Sequence, residues 1–471
     1  RSDETRRCAA LTRPFGPPSP TPGGERVQRA DTISRVSNEQ RSLHRVVSLP
    51  GAVLLGLGSI LGTGVFVSIG IGAGVAGNAL LLAVALAAMV AACNALSSAQ
   101  LAAAHPVSGG TYEYGYRWLS PSLGFAAGWM FLCAKAFSGA TAALGFGGYA
   151  LRAVRVDAQE WKVAIAIFGV LVLTALVASG MRRSSKVNAA IVSVTLVSLA
   201  AFCVFGLRDA AGRAEVLWNP TFFGVEGDDR PALVRLLEAT ALMFVAYTGY
   251  GRLATLGEEV REPRKTIPRA IIATLVVSAA IYMGVSFVAL GTLGPAGLAE
   301  AARTSAAPLE EAARKFDGEW IAEIVAIGAV TAMLGVLLNL ILGLSRVALA
   351  MGRRDDLPRV LSRVNANGSP DAAVVGVGCA IAAIALIGDV KLTWSFSAFT
   401  VLVYYAITNL AAIRLSREER LYPVWIAWVG LIACLSLAFF VEARVWMMGL
   451  GLIGVGFVVR AAVKRIHRRG R

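Results

Sequence analysis

Charged residues are scarce in this chain: Asp, Glu, Lys and Arg make up 16% of its 471 residues, against roughly 25% in an average soluble protein. That shortage argues against an ordinary water-solvated enzyme. Histidine is nearly absent, and His44, His105 and His467 never stand at i,i+4, so no metal site is expected. The six cysteines lack CxxC spacing, and all but Cys8 sit inside apolar runs, where cysteine behaves as a small hydrophobe. No cofactor is expected either. Acidic residues are few, 30 against 45 Lys and Arg, for a net charge of +15. In a soluble protein that balance would suggest nucleic acid. Here the charges lie between apolar segments, where they read instead as topology signal and contact with lipid headgroups.

What the chain has in abundance is apolar residues, 56% of the total. About twelve segments are long enough to cross a bilayer as helices: 50–74, 79–104, 122–151, 162–180, 187–207, 233–256, 267–292, 320–350, 372–389, 393–414, 424–441 and 444–463. They are continuously apolar, without the alternation of lipid-facing strands. The expected fold class is therefore an all-α polytopic membrane protein of about twelve transmembrane helices. Residues 1–45, rich in Arg, Ser, Pro and Gly, contain no apolar run and are expected to form a disordered tail rather than a signal peptide. Residues 46–463 are expected to be the membrane domain, with a short basic tail over 464–471. Basic residues cluster after the fourth, sixth and eighth segments, whereas the expected outer loop 293–320 is acidic, with Glu300, Glu310, Glu311, Asp317 and Glu319. By the positive-inside rule both termini are cytoplasmic. High Ala, Gly and Arg content points to a bacterial inner membrane.

Two segments carry glycines where a helix would be expected to run on. The first reads GAVLLGLGSILGTGVFVSIGIGAG, with Gly62-Thr63-Gly64 near its middle, and the sixth contains FVAYTGYG over 244–251. Glycine weakens a helix and permits conformations that break it; it also allows close helix packing, the simpler reading for Gly70 and Gly74. Two interrupted helices five spans apart mark an inverted-repeat transporter with a site near the midplane. Such breaks expose amides beside one half-helix and carbonyls beside the other, a match for a zwitterion. Its carboxylate would accept from amides around Thr63 and Gly64, and its ammonium would donate to carbonyls around Ser59, Ile60, Phe244 and Tyr247. Gly62, Ala246, Thr248 and Gly249 complete the expected substrate-binding set.

The stretches GSILGTGVF (58–66), PVSGGTYEYGYRWLSPSLGFAAGW (106–129), FVAYTGYGRLATLGEEVREPRKTIPRAI (244–271) and SRVALAMGRRDDLP (345–358) resemble the amino acid–polyamine–organocation (APC) superfamily, near its amino acid permease and cationic amino acid transporter branches. The resemblance covers about 48–463 and implies a LeuT-type fold. In it, spans one to five (about 50–207) and six to ten (about 233–414) form a five-plus-five inverted repeat, and two further helices (about 424–463) follow. It also implies transport of amino acids across the cell (plasma) membrane by alternating access.

Lys135 is the one ionisable residue close to the centre of a span, and intramembrane charge is expected to face the interior or a water-filled cavity. With about a dozen residues on either side, its stem is too short to snorkel to an interface. It is the first candidate for exchanging a proton during transport. In many members of the resembled family a mid-membrane lysine of span five imitates a sodium ion; span five here has Ser193 and Thr195 but no lysine, and Lys135 is hypothesised to substitute from span three. Sodium sites in related folds use adjacent hydroxyls on span eight, where TAMLGVLLNLILG (331–343) has only Thr331. Proton coupling or exchange is therefore favoured over sodium. Asn339 is either a substrate contact or an interhelical hydrogen bond. Glu258 and Glu259 form either a structural ion-pair cluster or an inner gate. Phe244 and Tyr247 are gating aromatics or packing residues, and Tyr404 and Tyr405 are weaker candidates. Glu113 and Arg117 are assigned to a short interfacial helix.

No Asp or Glu is evident in the central parts of spans one, three, six or eight, and Gly251 stands where some family members place an acidic or aromatic residue. The expected function is thus a secondary transporter favouring a neutral amino acid. Alternatives are a cationic amino acid or polyamine transporter, or a sensor or channel on the same scaffold. No GxxxxGK[ST] motif suggests direct use of ATP, and no nucleophile or acid–base cluster suggests an enzyme. The expected partners are the substrate, a coupling proton and the lipid bilayer.

Overall fold

A computed structural model describes residues 47–106, 109–156, 158–180, 185–212, 229–254, 260–365 and 370–469. The expected disordered tail and the pair Glu258 and Glu259 lie outside these residues. Among the described residues the chain is helical apart from one isolated parallel bridge, Val47 with Val260.

The first apolar segment comes in three pieces, α1 (Leu49–Ile60), α2 (Thr63–Phe66) and α3 (Ser68–Ala76), followed by α4 (Leu80–Ala104). The short helix α5 (Thr111–Trp118) leads into α6 (Pro121–Ala153), then α7 (Lys162–Ala178) and α8 (Ser185–Gly212). The sixth segment forms α9 (Ala232–Tyr247), one 3-10 turn over Thr248–Tyr250, and α10 (Gly251–Ala254). Next come α11 (Pro263–Thr304), α12 (Pro308–Ala313) and α13 (Glu319–Arg353). The last four are α14 (Asp371–Ala385), α15 (Val390–Ile413), α16 (Val424–Phe440) and α17 (Ala443–Arg469). Local chemistry sets several of the starts. Ser120 Oγ accepts from the Leu123 amide at 3.2 Å ahead of Pro121, and Asp389 Oδ1 accepts from the Leu392 amide at 2.9 Å. Each side chain satisfies an amide that the first helical turn leaves unpaired.

Among the described residues, nine helices are long and apolar enough to cross a membrane; α1, α14 and α16 are shorter apolar helices. Large apolar side chains such as Phe168, Leu171, Val197, Val204, Ile432 and Val458 are exposed on α7, α8, α16 and α17. An exposed belt of this kind is what a bundle solvated by lipid presents. The protein is a polytopic helical membrane protein.

The interior is bonded by small polar side chains. Ser138 meets Ser397 at 2.7 Å, Thr141 donates to Thr393 at 2.9 Å, and Thr111 meets Thr408 at 2.8 Å, tying α15 to α5 and α6. Between apolar helices, packing of small residues and hydrogen bonds of this type provide the specific attraction.

The acidic stretch 293–320, read as a loop, is largely helical. Gly294 (φ 72°) bends α11, and the chain then continues as helix beyond Pro295. Leu298, Leu309, Ala312 and Ala313 are fully buried against the bundle. Alanine and leucine interleaved with the charges supply the apolar face. At this end the C-terminus of α6 meets the N-terminus of α13 through an Arg155–Glu323 ion pair. At the opposite end Arg354 bonds Glu113 of α5 at 2.6 Å.

Candidate substrate site

The two interrupted helices touch each other. The break between α1 and α2 spans Leu61 and Gly62, and the 3-10 turn after α9 lies against it. A Cβ on Gly249 would stand 2.3 Å from the Ser59 carbonyl oxygen, and one on Gly64 would meet Ala246 Cβ at 2.8 Å. Only glycine at both positions lets the breaks approach this closely. Tyr282 of α11 pins them together: its hydroxyl lies 2.9 Å from the Ile60 carbonyl and 3.0 Å from that of Ala246. Both carbonyls lose helical partners where their helices stop, so the hydroxyl answers a local need created by the breaks.

A cavity of about 40 Å³ sits at this junction. Its wall includes Ser59, Ile60, Thr63 and Gly64 from the first break and Val245, Ala246, Thr248 and Gly249 from the second. Lys135 and Ser138 of α6, Val336 and Leu340 of α13 and Trp394 of α15 close it. Thr63 Oγ1 is buried and has no hydrogen-bond partner. The amides of Thr63 and Gly64, at the start of α2, have no acceptor one turn back within that helix. The half-buried Lys135 donates from Nζ to Thr248 Oγ1 at 2.9 Å, and Thr248 in turn donates to the Val245 carbonyl at 2.8 Å. Free donors and one ammonium, together with apolar Val336, Leu340 and Trp394, offer partners for a carboxylate and a neighbouring apolar group, in a space below the roughly 300–1,000 Å³ usual for a small-molecule pocket.

The expected residues divide by position. Ser59, Ile60, Thr63, Gly64, Ala246, Thr248, Gly249 and Lys135 line the cavity. Gly62, Phe244 and Tyr247 do not. A Cβ on Gly62 would meet Val336 at 2.6 Å, Phe244 packs edge-on to Tyr405, and Tyr247 donates to the Val84 carbonyl at 3.3 Å. Tyr405 reaches the turn from behind, donating to the Thr248 carbonyl at 3.3 Å. Asn339 bridges elements: its Nδ2 donates to the Gly58 carbonyl at 3.4 Å, and its main-chain carbonyl accepts from Arg252 of α10 at 3.2 Å. Thr331 lies apart, its hydroxyl bonded to the Ile327 and Gly328 carbonyls of its own helix. Sequence reasoning missed Ser138, Val245, Val336, Leu340, Trp394 and Tyr282. Ser138 follows Lys135 by about one turn, a usable signal; Val336, Leu340, Trp394 and Tyr282 gave none.

Known proteins resemble this chain along most of its length. The family model for amino acid permeases matches residues 51–466. An uncharacterized transporter of Mycobacterium tuberculosis is 42% identical over 434 residues, 91% of this chain and 93% of its own length. The branched-chain amino acid permease BcaP of Bacillus subtilis is 29% identical, across 71% of this chain and 72% of its own. A methylthioribose transporter of the same organism is 28% identical, across 71% and 73%.

Proposed function

The chain belongs to the amino acid permease family, and on that premise we propose that it is a secondary transporter of neutral amino acids in the cell membrane, working by alternating access, with both termini cytoplasmic. The observation that carries this reading is the junction of two interrupted helices around a cavity that presents the unpartnered Thr63 hydroxyl and the α2 amides. The substrate carboxylate accepts from the Thr63 and Gly64 amides, favoured by the positive end of α2. Its ammonium donates to carbonyls at the end of α1 and in the 244–247 stretch, and its side chain lies toward Val336, Leu340 and Trp394. Two repeats, about 50–207 and 233–414, rock about this point.

Lys135 is the coupling residue of this mechanism. Gain and loss of its proton alter its hold on Thr248, and through that residue the shape of the second break. Asn339 and Arg252 close the cytoplasmic side by linking α13, α1 and α10. A cationic side chain is disfavoured because the charge facing the cavity is itself a cation.

The test is uptake of a panel of labelled L-amino acids into proteoliposomes, with and without an inward proton gradient, for wild type and Lys135→Met. Saturable uptake of neutral members, accelerated by the gradient in wild type alone, is expected. Saturable uptake indifferent to gradient and substitution overturns the role of Lys135 and leaves exchange or facilitated diffusion. Flux that fails to saturate identifies a channel, and no uptake of any member overturns the transport of amino acids.

A further inference from the structure

A second cavity, of about 390 Å³, opens at the end of the bundle where α6, α12 and α13 meet. Its volume falls within the roughly 300–1,000 Å³ usual for small-molecule pockets, and its wall carries both signs of charge: Arg152, Arg155 and Arg314 with Glu310 and Glu323. Glu310 is 1% exposed. One of its oxygens accepts from Arg314 Nε at 2.5 Å. The other, Oε2, faces Arg152 Nε at 3.8 Å, too far for a hydrogen bond, and neither atom has any other hydrogen-bond partner. Arg152 Nη2 stands 3.3 Å from Glu311. An unclosed pair of opposite charges, one member buried, is costly unless something completes it.

We propose that this cavity is a second substrate site, an outer vestibule that holds an amino acid as its zwitterion before it reaches the broken helices. The carboxylate accepts from Arg152 and the ammonium donates to Glu310 Oε2, so one ligand completes both halves of the open pair. The mixed lining selects a zwitterion over a simple anion or cation. Tyr149, one turn before Arg152, connects the two sites. Its hydroxyl donates to the Phe66 carbonyl at the end of α2 at 2.7 Å and accepts from the Leu309 amide of α12 at 3.2 Å. Seating a ligand against α12 therefore bears, through one side chain, on α2, the short helix that follows the first break. This inference rests on the transport reading.

The experiment is equilibrium dialysis of the same labelled amino acid panel against purified protein in phosphatidylcholine vesicles, alongside uptake. Wild type is expected to bind two molecules per chain of each transported amino acid. Glu310→Gln and Arg152→Gln each lose one of the two, with KM for uptake raised about tenfold and maximal rate held, and Arg152→Lys restores part of the loss. The decarboxylated and the deaminated analogues of the bound amino acid each displace this molecule at least tenfold less well. One molecule per chain in wild type, or two retained in both neutral variants, overturns the vestibule while transport stands. Equal displacement by glycerophosphoethanolamine overturns the amino acid assignment in favour of a lipid headgroup. Absence of both binding and uptake for every panel member overturns the transport reading and the vestibule together.

Discussion

At one end of the bundle Asp356 is completely buried and completely occupied, whereas at the other Glu310, nearly as hidden, keeps an oxygen without a hydrogen-bond partner. Asp356 accepts from the hydroxyls of Tyr112, at 2.9 Å, and Tyr116, and from Arg460 Nε of α17 at 2.7 Å. Arg354 lies over the Tyr112 and Tyr116 rings, 5.4 and 4.5 Å from their centroids, and bonds Glu113. One carboxylate thus fastens the loop after α13, the helix α5 and the last helix α17 to one another. A buried charge met on all sides serves as a strut. A buried charge met on one side only is suited to a ligand. Between the two ends, the interrupted helices touch through glycine and a single tyrosine.

The contrast can be broken most directly by removing the strut. Asp356→Ala leaves Arg460 and two tyrosine hydroxyls without their acceptor, and breaking such a buried pair costs about 3–5 kcal/mol. A large fall in the thermal unfolding temperature of the purified protein is expected. Glu310→Gln, whose partners Arg152 and Arg314 are 25% and 43% exposed, is expected to cost about 1 kcal/mol or less. Equal falls in the two variants would erase the distinction.

The centre is expected to respond in activity rather than stability. Gly249→Ala places a methyl carbon against the Ser59 carbonyl, forcing the breaks apart. Uptake should fall at least tenfold while the protein remains monodisperse by size-exclusion chromatography; unaltered uptake would mean that the close approach is dispensable.

Acidification sharpens the contrast at the Glu310 end. Burial raises the Glu310 carboxyl above its usual range, opposed by Arg314 and Arg152. A raised pKa means that the charged form is lost earlier as pH falls, so the acceptor for the ligand ammonium disappears sooner than at an exposed glutamate. Vestibule binding is expected to weaken on the acid side of neutrality in wild type, and the residual site of Glu310→Gln to lack that step. The smallest effect is expected from Thr331→Val, since that hydroxyl bonds only its own helix. A stability change within about 0.5 kcal/mol and unaltered uptake would remove Thr331 from any coupling role.

Much of the centre was legible because it depends on local chemistry. Gly62-Thr63-Gly64 and Thr248-Gly249 announce breaks in otherwise apolar helices, and a lysine too deep to snorkel must face inward, as Lys135 does. The straight helices were less readable. Val336, Leu340 and Trp394 line the cavity because of how α13 and α15 are rotated against the breaks, and an almost uniformly apolar helix carries little sign of which face turns inward. Phe244 and Tyr247 sit within the readable motif yet point into packing, since side chains one position apart on a turn leave in different directions. The stretch 293–320 looked like a loop because its acids dominate the composition; the alanines and leucines between them bury a face that charge counting overlooks.

By itself the sequence determined the class of the protein, its helices and the places where two of them break. Those outcomes follow from hydrocarbon length, from the demand that backbone groups be satisfied within each span, and from glycine. Only the tertiary structure decided which partners meet across hundreds of residues: Lys135 with Thr248, Tyr282 with both breaks, Asp356 with Arg460, and Arg152 facing Glu310 without closing on it. Between apolar helices the hydrophobic effect does not choose a neighbour, so shape and a few hydrogen bonds settle which faces meet.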